Sequence, residues 1–313
     1  MMNHRAPARD THVPDDMPHL EGVRHHFLAL PGLRMHVAEA GSGEPLLLLH
    51  GALQHWWAWH EVLPALAQRY RVLVPDLRGF GWTDAPRCGY SRAQSTADLL
   101  AALDALGCGA TRLVSTDMGA LPAFGLCYDV PERVQAHVVI GVPPLPIKVG
   151  LRHLKAFLPL WHQEVGAIPI LAPALLGRGR QPLARHMLLN FSPPGKPADP
   201  GEVERYLARL RLPGRARAAS ASIRELVLPE LVRISAGRYR RMRLTTPTLV
   251  LAGTEDRSFP PSMLADLART AEPWVDRMEV GTISGAAHYV AQEQPELLAD
   301  AVLRFLGAET APR

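Results

Sequence analysis

Three polar residues follow apolar runs that are typical of buried strands. Asp117 stands at the centre of the segment STDMG, Asp256 ends the segment GTED, and His288 ends the segment SGAAH. The order acid, acid, histidine matches one known order of nucleophile, orienting acid and base along a chain. Such a set can do covalent catalysis. The first Asp attacks an electrophilic carbon and forms an ester, the His activates water to hydrolyse it, and the second Asp holds the imidazole in the useful tautomer.

The central Asp of STDMG takes the place that Ser holds in the usual form of this turn. A carboxylate is already ionised at neutral pH, so the first step needs no base. It suits displacement at a saturated carbon that bears a leaving group or belongs to a strained ring. Asp117 could instead be a turn residue that tolerates left-handed geometry, but His288 and Asp256 downstream favour catalysis. Glu255 is the rival of Asp256, and the spacing from Gly253 favours Asp256.

The elements that must position these residues alternate along the chain. Two β-type runs, 23–30 and 33–40, flank Pro31-Gly32 and predict an antiparallel hairpin. Continuous apolar runs then alternate with helical segments, which predicts an α/β fold with a mostly parallel, doubly wound sheet. The predicted strands cover 45–49, 71–75, 113–114, 134–140, 247–253 and 276–283, and the predicted helices cover 95–106, with Ser95 as its cap, 262–270 and 290–305. Because such sheets bind ligands at the carboxyl ends of their strands, the three polar residues should meet there.

Residues 144–243 interrupt this alternation. They contain helical fragments broken by Pro and Gly and no buried-strand run. We therefore predict a helical cap, or lid, at 144–243 inserted into a core formed by 21–143 and 244–310. Residues 1–20 mix both charges without an apolar core, and we expect a disordered N-terminal tail rather than a signal peptide.

Composition excludes several classes of function. The chain is 47% hydrophobic and 20% charged, as in globular proteins, and its net charge of +4 comes from scattered arginines. We expect no nucleic-acid partner, and the basic cluster at 238–243 reads as a solvated helix end. No run reaches the ~18 apolar residues of a membrane span. Three cysteines without CxxC spacing argue against disulfides and zinc. We expect a cytoplasmic protein, monomeric or homodimeric, without a metal.

Five segments, taken in order, resemble the α/β-hydrolase superfamily over about residues 23–308: HGALQHWWAWHEVLPALA, DLRGFGWTDAP, STDMG, LVLAGTED and GAAHYVAQEQPE. They resemble its aspartate-nucleophile branch, which contains epoxide hydrolases and haloalkane dehalogenases. The resemblance implies an α/β-hydrolase fold with an inserted helical cap and a cofactor-free hydrolase that acts on a small apolar molecule. The backbone N–H groups of Ala52 and Met118 are the expected oxyanion donors.

The chain departs from the epoxide hydrolases of this branch at several positions. Those enzymes usually have Pro where this chain has Leu53. They also resemble one another in two lid tyrosines that donate hydrogen bonds to the epoxide oxygen. The corresponding places hold Leu158 and, just before Arg224, Ser222-Ile223. Three other side chains could act as the acid: Tyr206, Tyr239 and His162.

The chain departs from the dehalogenases too. They place Trp directly after the nucleophile and Asn after His-Gly, where this chain has Met118 and Ala52. Met118 points to a bulky, uncharged substrate. We expect conversion of an epoxide to a vicinal diol, with carbon–halogen hydrolysis and non-hydrolytic binding or rearrangement as alternatives. The residues expected to contact substrate are Trp56, Leu158, Trp161, His162 and Ile223.

Overall fold

A nine-stranded sheet forms the centre of the computed structural model, which describes residues 9–10, 13–150 and 161–308 of the 313. Its order is β1-β2-β3-β5-β4-β6-β7-β8-β9. The strands are β1 (Arg9–Asp10), β2 (Arg24–Leu30), β3 (Leu33–Ala40), β4 (Glu44–Leu49), β5 (Tyr70–Pro75), β6 (Thr111–Thr116), β7 (Val134–Ile140), β8 (Thr248–Gly253) and β9 (Met278–Ile283). The first three strands and β5 pair antiparallel, and every pair from β5 to β9 is parallel. The predicted hairpin and the mostly parallel sheet are confirmed.

Helices cover both faces of the sheet. The helices are α1 (Leu63–Leu66), α2 (Arg92–Ala105), α3 (Ala120–Asp129), α4 (Trp161–Ala167), α5 (Leu171–Gly177), α6 (Pro182–Leu189), α7 (Pro200–Leu210), α8 (Arg215–Ser222), α9 (Leu228–Ser235), α10 (Pro261–Ala271), α11 (Val290–Glu293) and α12 (Pro295–Ala308). Short 3₁₀ turns lie at Trp56–Trp59, Asp117–Gly119, Pro131–Arg133, Arg238–Arg241 and Glu272–Trp274. Helices α1 and α12 pack on one face, and α2, α3 and α10 pack on the other. This arrangement is the predicted doubly wound sheet.

Strand β4 shows why its sequence is continuously apolar. Leu46 and Leu48 belong to the cluster on one face of the sheet, whereas Leu47 and Leu49 belong to the cluster on the other. Successive side chains of a strand point to opposite faces, so a strand covered on both sides needs apolar residues throughout. Each buried leucine contributes about 1.5–3 kcal/mol by leaving water.

The helices α4 to α9, here called the inserted helices, lie between β7 and β8 in sequence. The described residues between those strands contain no named strand, and a π-helical turn (Ile223–Val227) joins α8 to α9. Residues 151–160 lie outside the described part of the chain. The cap boundaries at 144 and 243 therefore stay a prediction.

The beginning of the chain differs in part from expectation. Residues 1–8 and 11–12 lie outside the described residues, but 13–20 pack against the protein. Met17 is 8% exposed within the apolar core. Asp16 accepts a hydrogen bond from the Trp82 indole at 3.0 Å and pairs with Arg209 of α7. Disorder is the wrong expectation for 13–20, because a buried methionine and a bridging carboxylate hold this stretch.

Helix ends also depart from the predicted positions. Ser91, not Ser95, caps α2, since the Ser91 hydroxyl accepts a hydrogen bond from the Gln94 N–H. The last predicted helix is two helices, because the chain leaves the helical conformation at Gln294, directly before Pro295. No helix in the described ranges is both long and apolar enough to cross a membrane.

Candidate active site

Asp117 stands at a sharp turn between β6 and α3. Its φ is +47°, a left-handed conformation that costs most non-glycine residues about 1–2 kcal/mol. The turn sits tightly on the neighbouring strand: a Cβ atom on Gly119 would lie 2.5 Å from the carbonyl oxygen of His50. Only glycine fits at position 119, and the turn lifts the Asp117 side chain off the end of the sheet.

The backbone after β4 faces the carboxylate of Asp117. The Ala52 N–H donates a hydrogen bond to Asp117 Oδ2 at 2.8 Å. A Cβ atom on Gly51 would lie 3.0 Å from the same oxygen, so a small residue is required there. An N–H group aimed at this oxygen is placed to stabilise negative charge that develops on it.

His288 and Asp256 form a buried pair. The distance between His288 Nδ1 and Asp256 Oδ2 is 3.0 Å. The second oxygen of Asp256 accepts hydrogen bonds from the N–H groups of Ser258 at 2.7 Å and Phe259 at 3.2 Å. Burial alone would raise the pKa of Asp256, but His288 and these donors outweigh it and lower the pKa. Glu255 is exposed, so the geometry favours Asp256 as the partner of the imidazole.

The pKa of His288 is raised to about 9 by the charges around it. Burial would lower the pKa, but the carboxylates of Asp256, Asp117 and Glu293 favour the imidazolium more strongly. Glu293 has a pKa raised to about 7 because it is buried. It also accepts a hydrogen bond from the Ala287 N–H, one residue before the imidazole. The imidazole thus lies in a negative environment that stabilises its protonated form.

The inserted helices reach this pair. The His288 N–H donates to the carbonyl oxygen of Phe191 at 3.1 Å, and the two rings lie 5.8 Å apart. Tyr289, the next residue, donates its hydroxyl to the carbonyl oxygen of Met187 in α6. The backbone of His288 and the side chain of Tyr289 are therefore both tied to the segment that carries the inserted helices.

Two cavities meet at Asp117. The smaller one, here called the short arm, has a volume of about 50 Å³, and the larger one, the long arm, has a volume of about 320 Å³. The described residues that line both are Asp117, Met118, Gln163, Val227 and Phe259. The short arm is further lined by Ala52, His162, Met187, Phe191, Ile223, Ser258, His288 and Tyr289. The long arm is further lined by Leu121, Val142, Pro143, Ile147, Val149, Glu164, Leu231, Ile234 and Ser235.

Most of the residues predicted for the site lie at these cavities. Asp117 and Met118 line both arms, and Ala52, His162, Ile223 and His288 line the short arm. Asp256 lies behind His288, to which it is hydrogen-bonded. The structure therefore brings together residues from six separate parts of the sequence.

The other predicted substrate contacts do not lie there. Trp56 is fully buried and lines neither arm; its ring packs 5.0 Å from His25, and its backbone N–H donates to Asp76 at 2.7 Å. Its assignment as a pocket residue is wrong, because the 3₁₀ turn at Trp56–Trp59 directs it into the core on the hairpin side. Trp161 is 49% exposed and lines neither arm. Leu158 lies outside the described residues.

Of the three candidate acids, His162 lies nearest to the chemistry. Its ring is buried in the short arm, 5.2 Å from that of Phe191. Tyr239 donates its hydroxyl to Glu230, and Tyr206 accepts a hydrogen bond from Gln292 at 3.1 Å. Neither tyrosine lines either arm.

Three polar residues of the short arm are not among the residues predicted from the sequence: Gln163, Ser258 and Tyr289. Two of them had a usable signal. Gln163 directly follows His162, and Tyr289 directly follows His288, so their neighbours already pointed to the site. Ser258 is fixed by the turn after Asp256 and carries no such signal.

The fold and these residues define a class of protein. A family model described as alpha/beta hydrolase fold matches residues 44–295. The chain belongs to this family, and it is a hydrolase.

Similar proteins narrow the comparison. The soluble epoxide hydrolase of Corynebacterium sp. (strain C12) is 26% identical over 297 residues, which cover 90% of this chain and 97% of that relative. Epoxide hydrolase 4 of Homo sapiens is 28% identical over 318 residues, which cover 98% and 85%. The solved structure of the epoxide hydrolase CorEH without ligand matches with a TM-score of 0.79 at 25% identity and covers 91% of this chain and 99% of that one. The chain is therefore an epoxide hydrolase-like member of the family.

Proposed function

We propose that the protein converts an epoxide of an apolar substrate to a vicinal diol through an ester on Asp117. The main observation that supports this proposal is the position of the Asp117 carboxylate. It accepts a hydrogen bond from the Ala52 N–H and lines the short arm together with His288. The similarity to proteins named epoxide hydrolases supports the same reaction class. The mostly apolar wall of the long arm supports an apolar substrate.

In the first step, Asp117 attacks one ring carbon. Since Oδ2 is hydrogen-bonded to the Ala52 N–H, Oδ1 is the oxygen left for attack. A bond forms between Oδ1 and the carbon as the carbon–oxygen bond of the strained ring breaks. The ring oxygen takes up a proton and becomes the first hydroxyl of the product.

In the second step, His288 takes a proton from water, and the water oxygen attacks the Asp117 carbonyl. Negative charge then develops on the oxygen that faces the Ala52 N–H, with the Met118 N–H as the second proposed donor. The ester bond breaks, and the diol leaves after His288 returns its proton to the leaving alkoxide. The second proton of the water leaves Asp117, which becomes a carboxylate again, and replaces the proton that the ring oxygen took up in the first step. Asp256 holds the imidazole with Nε2 free to act as the base.

The ring oxygen that is released in the first step faces polar side chains of the short arm. His162, Gln163 and Tyr289 are among the residues that line this arm. The hydroxyl of Tyr289 already donates to a carbonyl oxygen. We propose His162, which is buried and lines the short arm together with His288, as the group that donates to the ring oxygen, in place of the lid tyrosines of the resembling enzymes.

Trapping the ester tests this function. His288→Gln removes the base of the second step, so treatment with an epoxide should leave a covalent adduct on Asp117 that intact mass and peptide mass spectrometry detect. Asp117→Ala in the same background is the matched control and should take up no adduct. A variant that binds ligand but forms no adduct with any epoxide or haloalkane would contradict the ester mechanism and favour a non-hydrolytic role.

Labelled water gives a second readout. Over several turnovers in heavy-oxygen water, the label should enter Asp117, because water attacks its carbonyl carbon. Label found only in the diol would mean direct attack of water on the epoxide and would exclude the ester.

Carbon–halogen hydrolysis is the second candidate, and the site favours it less. The dehalogenases that the chain resembles place a halide-binding Trp directly after the nucleophile, where this chain has Met118, and the described residues lining the short arm include no Trp. We also propose that the protein is cytoplasmic, that it is a monomer or a homodimer, and that its cap extends from residue 144 to residue 243.

A further inference from the structure

The two arms that meet at Asp117 differ about sixfold in size. The long arm has a volume of about 320 Å³ and the short arm about 50 Å³. A water molecule occupies about 30 Å³ in the liquid, so the short arm holds one or two water-sized groups. The long arm reaches the lower range of small-molecule sites, about 300 Å³. The proposed nucleophile, Asp117, thus lies where the large cavity, the long arm, meets the small cavity, the short arm.

The two arms differ in chemistry as well. His288 and His162 line the short arm and not the long arm. The walls of the long arm are mainly aliphatic, with Ile147 and Ile234 as examples. The reacting oxygen and the hydrolytic water need the polar groups, whereas an alkyl group gains free energy by leaving water for the aliphatic walls.

The long arm also opens to solvent. Glu164 of α4 and Ser235 of α9 belong to its lining, and both residues are exposed. A substituent longer than the arm can therefore extend between these two helices. The short arm offers only about 50 Å³, and the buried side chains of Met187, Phe191 and Ile223 belong to its walls.

We propose that the site selects terminal epoxides that carry one large apolar substituent. This inference rests on the proposed epoxide hydrolysis and adds its substrate class. The substituent lies in the long arm, and the ring oxygen faces the short arm. A second substituent on the other ring carbon, larger than a methyl group, collides with the walls of the short arm.

Two isomers of one composition test the selection. In 1,2-epoxyoctane one ring carbon carries all six remaining carbons, and in trans-4,5-epoxyoctane each ring carbon carries a propyl group. Their apolar surface is similar, so a difference in kcat/KM reports shape. We expect kcat/KM for the terminal isomer to be higher by about tenfold or more, as for groups that overfill a packed pocket. Equal values, or a preference for the internal isomer, would overturn the inference.

Variants in the two arms should move the selection in a known direction. Ile223→Ala enlarges the short arm and should raise the ratio of internal to terminal turnover. Leu231→Trp narrows the long arm and should lower kcat/KM for 1,2-epoxyoctane more than for 1,2-epoxypropane, by about tenfold in the ratio. Val232→Trp is the matched control, since Val232 is on the same helix but 67% exposed and outside the arm. If Leu231→Trp and Val232→Trp gave the same ratio, the long arm would not hold the substituent.

These outcomes separate the two proposals. Turnover of both isomers at equal rates, with an Asp117 adduct in His288→Gln, overturns the selection and leaves epoxide hydrolysis intact. Absence of turnover and of adduct with both isomers overturns epoxide hydrolysis and the selection together.

Discussion

The pair between Asp256 and His288 allows the sharpest prediction. In Asp256→Asn, the carboxylate 3.0 Å from the imidazole is replaced by a neutral amide. The imidazole of His288 then loses its strongest charged partner and the acceptor that sets its tautomer. Attack by Asp117 does not require a base, whereas ester hydrolysis requires His288 to become an imidazolium in the transition state. The second step should therefore slow selectively.

The magnitude follows from the pKa of His288. The pKa is raised from its ordinary value of 6.5 to about 9. At ~1.36 kcal/mol per unit, the surroundings stabilise the imidazolium by roughly 3 kcal/mol. Asp256 contributes the largest favourable part, and loss of the tautomer adds to the effect. We expect ester hydrolysis to slow by at least about 100-fold.

Rapid quenching with mass spectrometry of the intact protein measures both steps. The rate at which the adduct appears should stay within about threefold of wild type, and its decay should become rate-limiting. Glu255→Gln is the matched control, because this neighbouring carboxylate is exposed. Adduct decay in Asp256→Asn at a near wild-type rate, or equal slowing of both steps, would refute the assigned role of Asp256.

Three further results are expected. His162→Leu should slow adduct formation from an epoxide about 100-fold, while Tyr206→Phe should not; equal effects would remove His162 as the donor. Leu53→Pro should destabilise the protein more than Leu53→Ala in denaturant unfolding, because Leu53 has a φ of +63° and proline is fixed near −65°. Burial lowers the pKa of both His55 and His137 to about 3. The unfolded state alone then binds these protons as the pH falls from about 6.5 towards 3, so each His costs about 1.4 kcal/mol of stability per pH unit. A flat stability curve from pH 7 to pH 5 would contradict this.

The strand pattern was predictable because the inner parallel strands, β4 to β8, are buried on both faces. A strand such as β8, which is buried at every position, must then be mainly apolar, and its sequence TLVLAG shows it. The N-terminal cap of α2 shows what the sequence pattern does not predict. Ser91 and Ser95 both precede helical residues, and only the extended backbone of Ser91 places its hydroxyl on a free N–H group.

The positions of Asp117, Asp256 and His288 could be predicted from the sequence for a related reason. Each lies one to five residues beyond the end of a strand, so local sequence places it at one edge of the sheet. The contacts from the inserted helices had no such signal. The Phe191 carbonyl oxygen holds the His288 N–H across 97 residues of sequence, as only the packed structure shows. Trp56 was misassigned because a Trp-rich segment near the site can face the pocket or the core, and its composition is the same in both cases.

The charges around His288 change during the proposed reaction. In the free enzyme, Asp117 is one of the carboxylates that raise the pKa of His288 to about 9. Esterification of Asp117 removes its negative charge, so the pKa must fall at the moment when a neutral imidazole is needed as the base. The rate of adduct decay against pH should therefore report a lower pKa than histidine NMR of the free enzyme. An equal or higher pKa in the ester would mean that Asp117 does not act on His288 through its charge.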